Sequence, residues 1–165
     1  MSTEVKFVSN AIEVIGKVSD AVNIWLEEAS GELEAQAKRN TSVGKVAGGN
    51  TKQNWKHKVD DEKHEAVVGN MLETAIWLEL GTGNYALNGD GRKGGWYIPI
   101  GEGKGQISQD VVDAYGFKVV HGNDIDFAYT TGMKPQRPLH NAVETQKAKL
   151  QRRLIQVLKE IGDEE

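Results

Sequence analysis

Residues 54–83 read NWKHKVDDEKHEAVVGNMLETAIWLELGTG. Trp55, Val59, Val67 and Val68 are apolar points on two short extended runs, 54–59 and 65–69, and Asp60, Asp61 and Glu62 lie between them. An acidic turn between two β-prone runs predicts a hairpin or adjacent strands. Ala75, Ile76, Trp77, Leu78 and Leu80 then form the densest apolar patch in the chain, which predicts a short helix over 73–80. Gly81-Thr82-Gly83 stops it. The expected role of Gly81 is a C-cap in the left-handed conformation, which glycine adopts without a Cβ penalty.

Upstream, Ile12, Ile15, Val18, Val22, Trp25, Leu26, Ala29, Leu33 and Ala37 recur at intervals of mostly three and four. That spacing puts one apolar stripe on one face of a long helix, from about Asn10 to Ala37. Ser9 or Asn10 can accept from the free amides of its first turn. Glu13 suits the positive end of the helix dipole. Gly16 and Gly31 weaken the pattern, so a bend or break is expected near Ser30-Gly31. Residues 38–53 are polar, basic and glycine-bearing without a sustained period, and read as a flexible loop.

Downstream, GTGNYALNGDGRKGG over 81–95 is too glycine-rich for a regular element. Trp96–Ile100 is strand-like, with Pro99 favouring an edge. Ile107–Tyr115 reads as a helical turn or a loop insertion. Phe117–His121 and Asp126–Thr131 read as the last two strands. A two-proline junction, Pro135-Gln136-Arg137-Pro138, precedes a final helix from about Pro138 to Ile161, lined by Leu139, Ala142, Val143, Leu150, Leu154, Val157, Leu158 and Ile161. Helices at both ends of a run of strands argue against alternating βαβ units. The expected class is α+β: a long N-terminal helix, a small mainly antiparallel sheet with a short central helix, and a long C-terminal helix. The 165 residues are expected to form one domain, with flexible loops at about 38–53 and 82–106.

Composition narrows the function. There is no cysteine, so disulfides, iron–sulfur clusters and thiolate zinc sites are excluded. Mean hydropathy is −0.51 and no run approaches the roughly 18 apolar residues of a membrane span. The first residues lack the basic and apolar regions of a secretory signal. A net charge of −4 argues against a general nucleic-acid binder. The exposed face of the last helix is nevertheless basic, with Lys147, Lys149, Arg152, Arg153 and Lys159, and an ordinary solvated face is the commoner meaning of that pattern. Trp25, Trp55 and Trp77 are core candidates, whereas Trp96 follows the glycine loop and suits a contact surface.

No catalytic motif is present. HEAVV is not a zinc-binding HExxH, and neither a GxxxxGK[ST] nor a GxSxG motif occurs. His57, Asp60 and His64 are the one cluster from which a small enzymatic or binding site could be built, and solvated histidines are the commoner reading. The chain therefore reads as a non-enzyme, with no catalytic residue, cofactor or metal.

Three stretches in order carry a resemblance: Asn50-Thr51-Lys52-Gln53-Asn54-Trp55, then Thr74-Ala75-Ile76-Trp77-Leu78-Glu79-Leu80-Gly81-Thr82-Gly83, then Pro135-Gln136-Arg137-Pro138-Leu139-His140-Asn141-Ala142. With the long first helix they resemble the tail-completion (head–tail joining) family of long-tailed bacteriophages. Thr74 stands where the family has tyrosine, and Leu80 where it has phenylalanine. The resemblance implies a structural protein of the virion neck, assembled in the host cytoplasm. It implies a ring of six copies that joins tail to head and contacts connector proteins and the tail tube or tail terminator. Genomic DNA would pass through the ring without specific binding, and no membrane is involved. A tail terminator or head–tail stopper is the neighbouring alternative. The expected assembly contacts lie on the loops, at Tyr85, Arg92, Lys93, Trp96 and Arg137.

Overall fold

A computed structural model describes residues 11–45 and 49–163. The expected cap at Ser9 or Asn10 and residues 46–48 of the expected loop lie outside the described residues. The elements in order are α1 (Ala11–Asn40), α2 (Asn50–Gln53), β1 (Trp55–Asp60), β2 (Glu65–Asn70), α3 (Glu73–Leu80), a 3-10 turn (Gly83–Tyr85), β3 (Trp96–Pro99), α4 (Gln109–Tyr115), β4 (Lys118–His121), β5 (Asp126–Thr130) and α5 (Pro138–Asp163). The class is α+β, as the patterns indicate. The strands form two separate antiparallel sheets, β1-β2 and β3-β5-β4.

α1 and α5 run antiparallel. Asn40 Nδ2 donates to the Pro138 carbonyl at the start of α5, and Arg153, well along α5, meets Glu28 on α1 at 3.0 Å. Between them, the Trp25 indole donates to the Leu150 carbonyl. The β1-β2 hairpin lies on α1. Trp55, His57 and Val59 share one face of β1, and their partners Asn70, Val68 and Ala66 share that face on β2. Lys56, Lys58 and Val67 point to water. The alternation of buried and exposed positions is what a one-sided hairpin requires.

The core closes over one aromatic residue. Trp55 is 3% exposed and sits among Ala37 of α1, Ala75 of α3 and Ala142 of α5, with Leu33 and Leu139 at the edge. Three alanines let three helices approach the indole closely, and burial of an indole ranks among the largest single apolar contributions available. Its N–H donates to Thr41 Oγ1 at 2.7 Å, and that hydroxyl donates to the Ala37 carbonyl. Two satisfied polar groups thereby accompany the ring inside.

Several expectations need correction. α1 does not bend at Ser30-Gly31 but runs unbroken to Asn40. Ser30 Oγ satisfies itself on the Leu26 carbonyl, and Gly31 faces His57 of β1 with room for a Cβ, 3.8 Å from the imidazole. Residues 50–53 form a helical turn, α2, closed by Asn54 Nδ2 on the Asn50 carbonyl. One turn is too short to show a period. Of 107–115, the helical alternative is the observed one, with Gly116 ending α4 at φ +65°. Ile12 and Ile15, expected on the buried stripe, are exposed, as are Val143 and Leu158 of α5. Trp77 is 45% exposed and is not a core residue. Its neighbour Ala75 takes the inward position, because α3 has only two turns and buries one narrow stripe.

Candidate functional site

α3 and the segment 131–140 are joined by a clasp in which backbone meets backbone. Thr82 and Met133 exchange bonds: the Thr82 amide donates to the Met133 carbonyl, and the Met133 amide donates to Thr82 Oγ1, both at 2.9 Å. The Asn84 amide donates to the Thr131 carbonyl at 2.9 Å, and the Gln136 and Arg137 amides both donate to the Leu78 carbonyl. Such closeness leaves no room for side chains. A Cβ on Gly81 would stand 2.8 Å from both the Met133 carbonyl oxygen and Pro135 Cδ. Gly81 has φ +73° but ψ 177°, so it is not the expected left-handed cap. Glycine is needed there because two chain segments touch.

Glu79 completes the clasp. Its two carboxylate oxygens each accept a bond at 2.9 Å, one from the Leu139 amide and one from the His140 amide. These are first-turn amides of α5 with no partner inside the helix, and a carboxylate there also meets the positive end of the helix dipole. The proline junction that starts α5 is thus held by an acid on a different helix.

Around the clasp lies a patch of cations and aromatic rings. The Arg92 guanidinium lies 5.7 Å from the Trp96 ring centre, and Lys134 Nζ lies 5.7 Å from the Tyr85 ring centre. Trp96 packs on Gly83, where a Cβ would come within 2.7 Å of the indole, so the two pairs adjoin through the clasp. Tyr85, Arg92, Lys93 and Lys134 are exposed. No carboxylate pairs with Arg92, Lys93 or Lys134 among the described residues, and the same holds for Arg39, Lys56, Lys58, Lys147, Arg152 and Lys159, whereas Lys17, Lys38, Lys63, Lys149 and Arg153 each have one. Stacking over rings at an exposed site contributes only about 0.5–1 kcal/mol, and leaves the charge able to meet an anionic surface.

Of the five contact residues read from the sequence, Tyr85, Arg92 and Trp96 come together here and Lys93 lies beside them. Arg137 does not. It sits at the foot of α5 with φ +55°, its amide held by Leu78, and works as part of the clasp. Lys134 and Glu79 were missed. Lys134 lies 49 residues downstream of Tyr85, and no local pattern links the two.

The alternative cluster is taken apart by the fold. His57 Nδ1 lies 2.6 Å from Glu34 and its Nε2 3.1 Å from Glu27, both on α1. His64 Nε2 reaches Ser19 and its Nδ1 reaches Asn23, also on α1. Asp60 accepts the Lys63 amide within its own turn. Each histidine pins the hairpin to α1, and no group of side chains able to hold a metal occurs among the described residues. The basic face of α5 is likewise half used, since Lys149 and Arg153 pair with Glu32 and Glu28.

These pins titrate. The Glu27 carboxylate, and then Glu34, raise the pKa of His57 above its usual 6.5. Lys38, and then His57, lower Glu34 to about 2. A raised histidine contributes stability that is complete below pH 6.5 and is lost as pH rises through the folded value. A lowered glutamate contributes stability that is complete above pH 4.5 and is lost as pH falls towards 2. The melting temperature is therefore expected to decline on raising the pH above about 6.5, and His57→Gln should flatten that decline. Identical slopes in wild type and variant would remove His57 from the pairing.

Compared with known proteins, residues 6–81 match the model of the HK97-gp10-like family, described as "Bacteriophage HK97-gp10, putative tail-component". No curated protein and no solved structure matches the chain. The match covers just under half of the sequence, through α1, the hairpin and α3, and ends at the glycine where the clasp begins. The likeness to a bacteriophage tail family read from the sequence is thus found independently over this part of the chain.

Proposed function

We propose that the chain is a structural subunit of the phage neck, a tail-completion protein that assembles as a ring of six around the DNA channel and joins tail to head. The observation that carries this reading is the tail-component match over residues 6–81, the helix and hairpin body. The cation–aromatic patch supports it through Tyr85, Arg92 and Trp96, because tyrosine, tryptophan and arginine are the side chains enriched at contact surfaces. A net charge of −4 suits a subunit that lines a path for DNA without gripping it. His57, Asp60 and His64 serve the hairpin anchor in this reading, and no turnover is assigned to them.

The test is to assemble particles without this chain. Full heads and free tails should accumulate separately, and adding the purified protein should join them. Joined, infectious virions formed without it would refute the proposal. Free heads that have lost their DNA, with tails of abnormal length, would instead point to a neighbouring neck component.

A further inference from the structure

The β3-β5-β4 sheet carries opposite charge at its two ends. The antiparallel register sets Trp96 opposite Thr130 at one end and Pro99 opposite Phe127 at the other, where the Ile100 amide donates to the Asp126 carbonyl. The Trp96 end bears the cation–aromatic patch. The far end bears the β4–β5 turn, with Asp124 exposed, Asp126 beside it and Ile125 45% exposed between them. An open cleft of about 400 Å³ runs there between Ile100, Gln109 and residues 122–126. Asp126 is shared with His121 at 3.0 Å, which leaves Asp124 as the unpaired acid. At the other end Asp90, two residues from Arg92, makes no ion pair with it. Three residue steps of about 3.3 Å, from Trp96 to Pro99, separate the two ends by roughly 10 Å.

A two-fold contact would pair the two ends reciprocally and stop at a dimer. Head-to-tail contact sets cation against carboxylate, and repeats indefinitely or closes. We infer that the patch of Tyr85, Arg92, Trp96 and Lys134 receives the β4–β5 turn of a second copy, with Arg92 and Lys134 meeting Asp124 and with Ile125 against the two rings. This rests on the reading of the chain as a ring subunit and names the contact that would build the ring.

The absence of cysteine allows a clean test. Lys93→Cys and Asn123→Cys together flank the contact and leave Arg92, Lys134 and Asp124 in place, at the loss of one neighbouring cation. Oxidation of neck-bearing particles carrying this doubly substituted chain should give a ladder of dimer, trimer and higher multimers, and each single variant at most dimers. Adding Arg92→Glu should reduce the ladder at least tenfold, and adding Asp124→Lys to that should restore it. The inference is overturned by a chain that stays monomeric on oxidation in joined particles, by Lys93→Cys alone giving as much dimer as the pair, or by a ladder indifferent to Arg92→Glu. Joined particles without a ladder would remove this contact and leave the neck assignment standing, whereas particles that join with the chain absent would remove both.

Discussion

Replacing Trp55 with alanine is expected to lower stability by about 3–5 kcal/mol, the range for emptying an aromatic site in a closed core. The reason is local. Three alanines surround the ring, and none can move in to fill the space without shifting a whole helix. The substitution also strips a partner from the buried Thr41 hydroxyl. A domain of this size is stable by only about 5–15 kcal/mol, so a large share would go. Urea unfolding followed by far-ultraviolet circular dichroism measures the loss. Trp77→Ala is the control: its ring is half in water, and about 1 kcal/mol or less should be lost. Equal losses at the two tryptophans would contradict the placement of the core.

The second large effect is expected at Gly132. Its φ is +109°, and a Cβ there would collide with the Thr82 carbonyl oxygen and stand 2.8 Å from Gly83 Cα. Gly132→Ala therefore combines backbone strain of about 1–3 kcal/mol with an overpacking penalty of similar size. Neither obstacle is a flexible side-chain end, so the clasp must open to admit the methyl group. Amide exchange should then accelerate at Thr82, Asn84 and Met133, whose bonds span the clasp, before it does in the hairpin. Gly94→Ala separates the two causes. Gly94 has φ +81° but nothing within 4 Å of a Cβ, so strain alone remains, about 1 kcal/mol. Protected clasp amides in Gly132→Ala would show that the two segments are not packed as described.

Much of this architecture is written in periodicity. The stripes of α1 and α5 and the alternation in β1 and β2 are set by which face must meet the core, and repeat over enough residues to be read. The ends of the stripes mislead. Ile12 and Ile15 continue the period of α1 although they are exposed, and a pattern records spacing but not which residues have a neighbour. Trp77 reads as buried because the patch 75–80 is apolar but for Glu79, and two helical turns give little contrast between faces.

The candidate site was legible in part, for a different reason. Tyr85, Arg92 and Trp96 sit within one glycine-rich stretch, so their proximity follows from chain connectivity. Lys134 reaches Tyr85 across 49 residues, and Glu79 reaches His140 across 61. Those pairings depend on the clasp, whose glycines announce that something comes close without saying what. The resemblance pointed at the segment that contains Glu79, and only the fold assigns its carboxylate to the first amides of α5.

The clasp has a consequence for how such a chain can diversify. Residues 84 and 131 are one hydrogen bond apart, so everything between them enters and leaves the body at nearly the same point. Topologically, the second sheet with its loops is an insert. Lengthening or exchanging it alters loop-closure entropy only weakly and leaves the helix–hairpin body untouched. A lineage could thus refit the insert to new neighbours while the body that carries the tail-family match stays as it is.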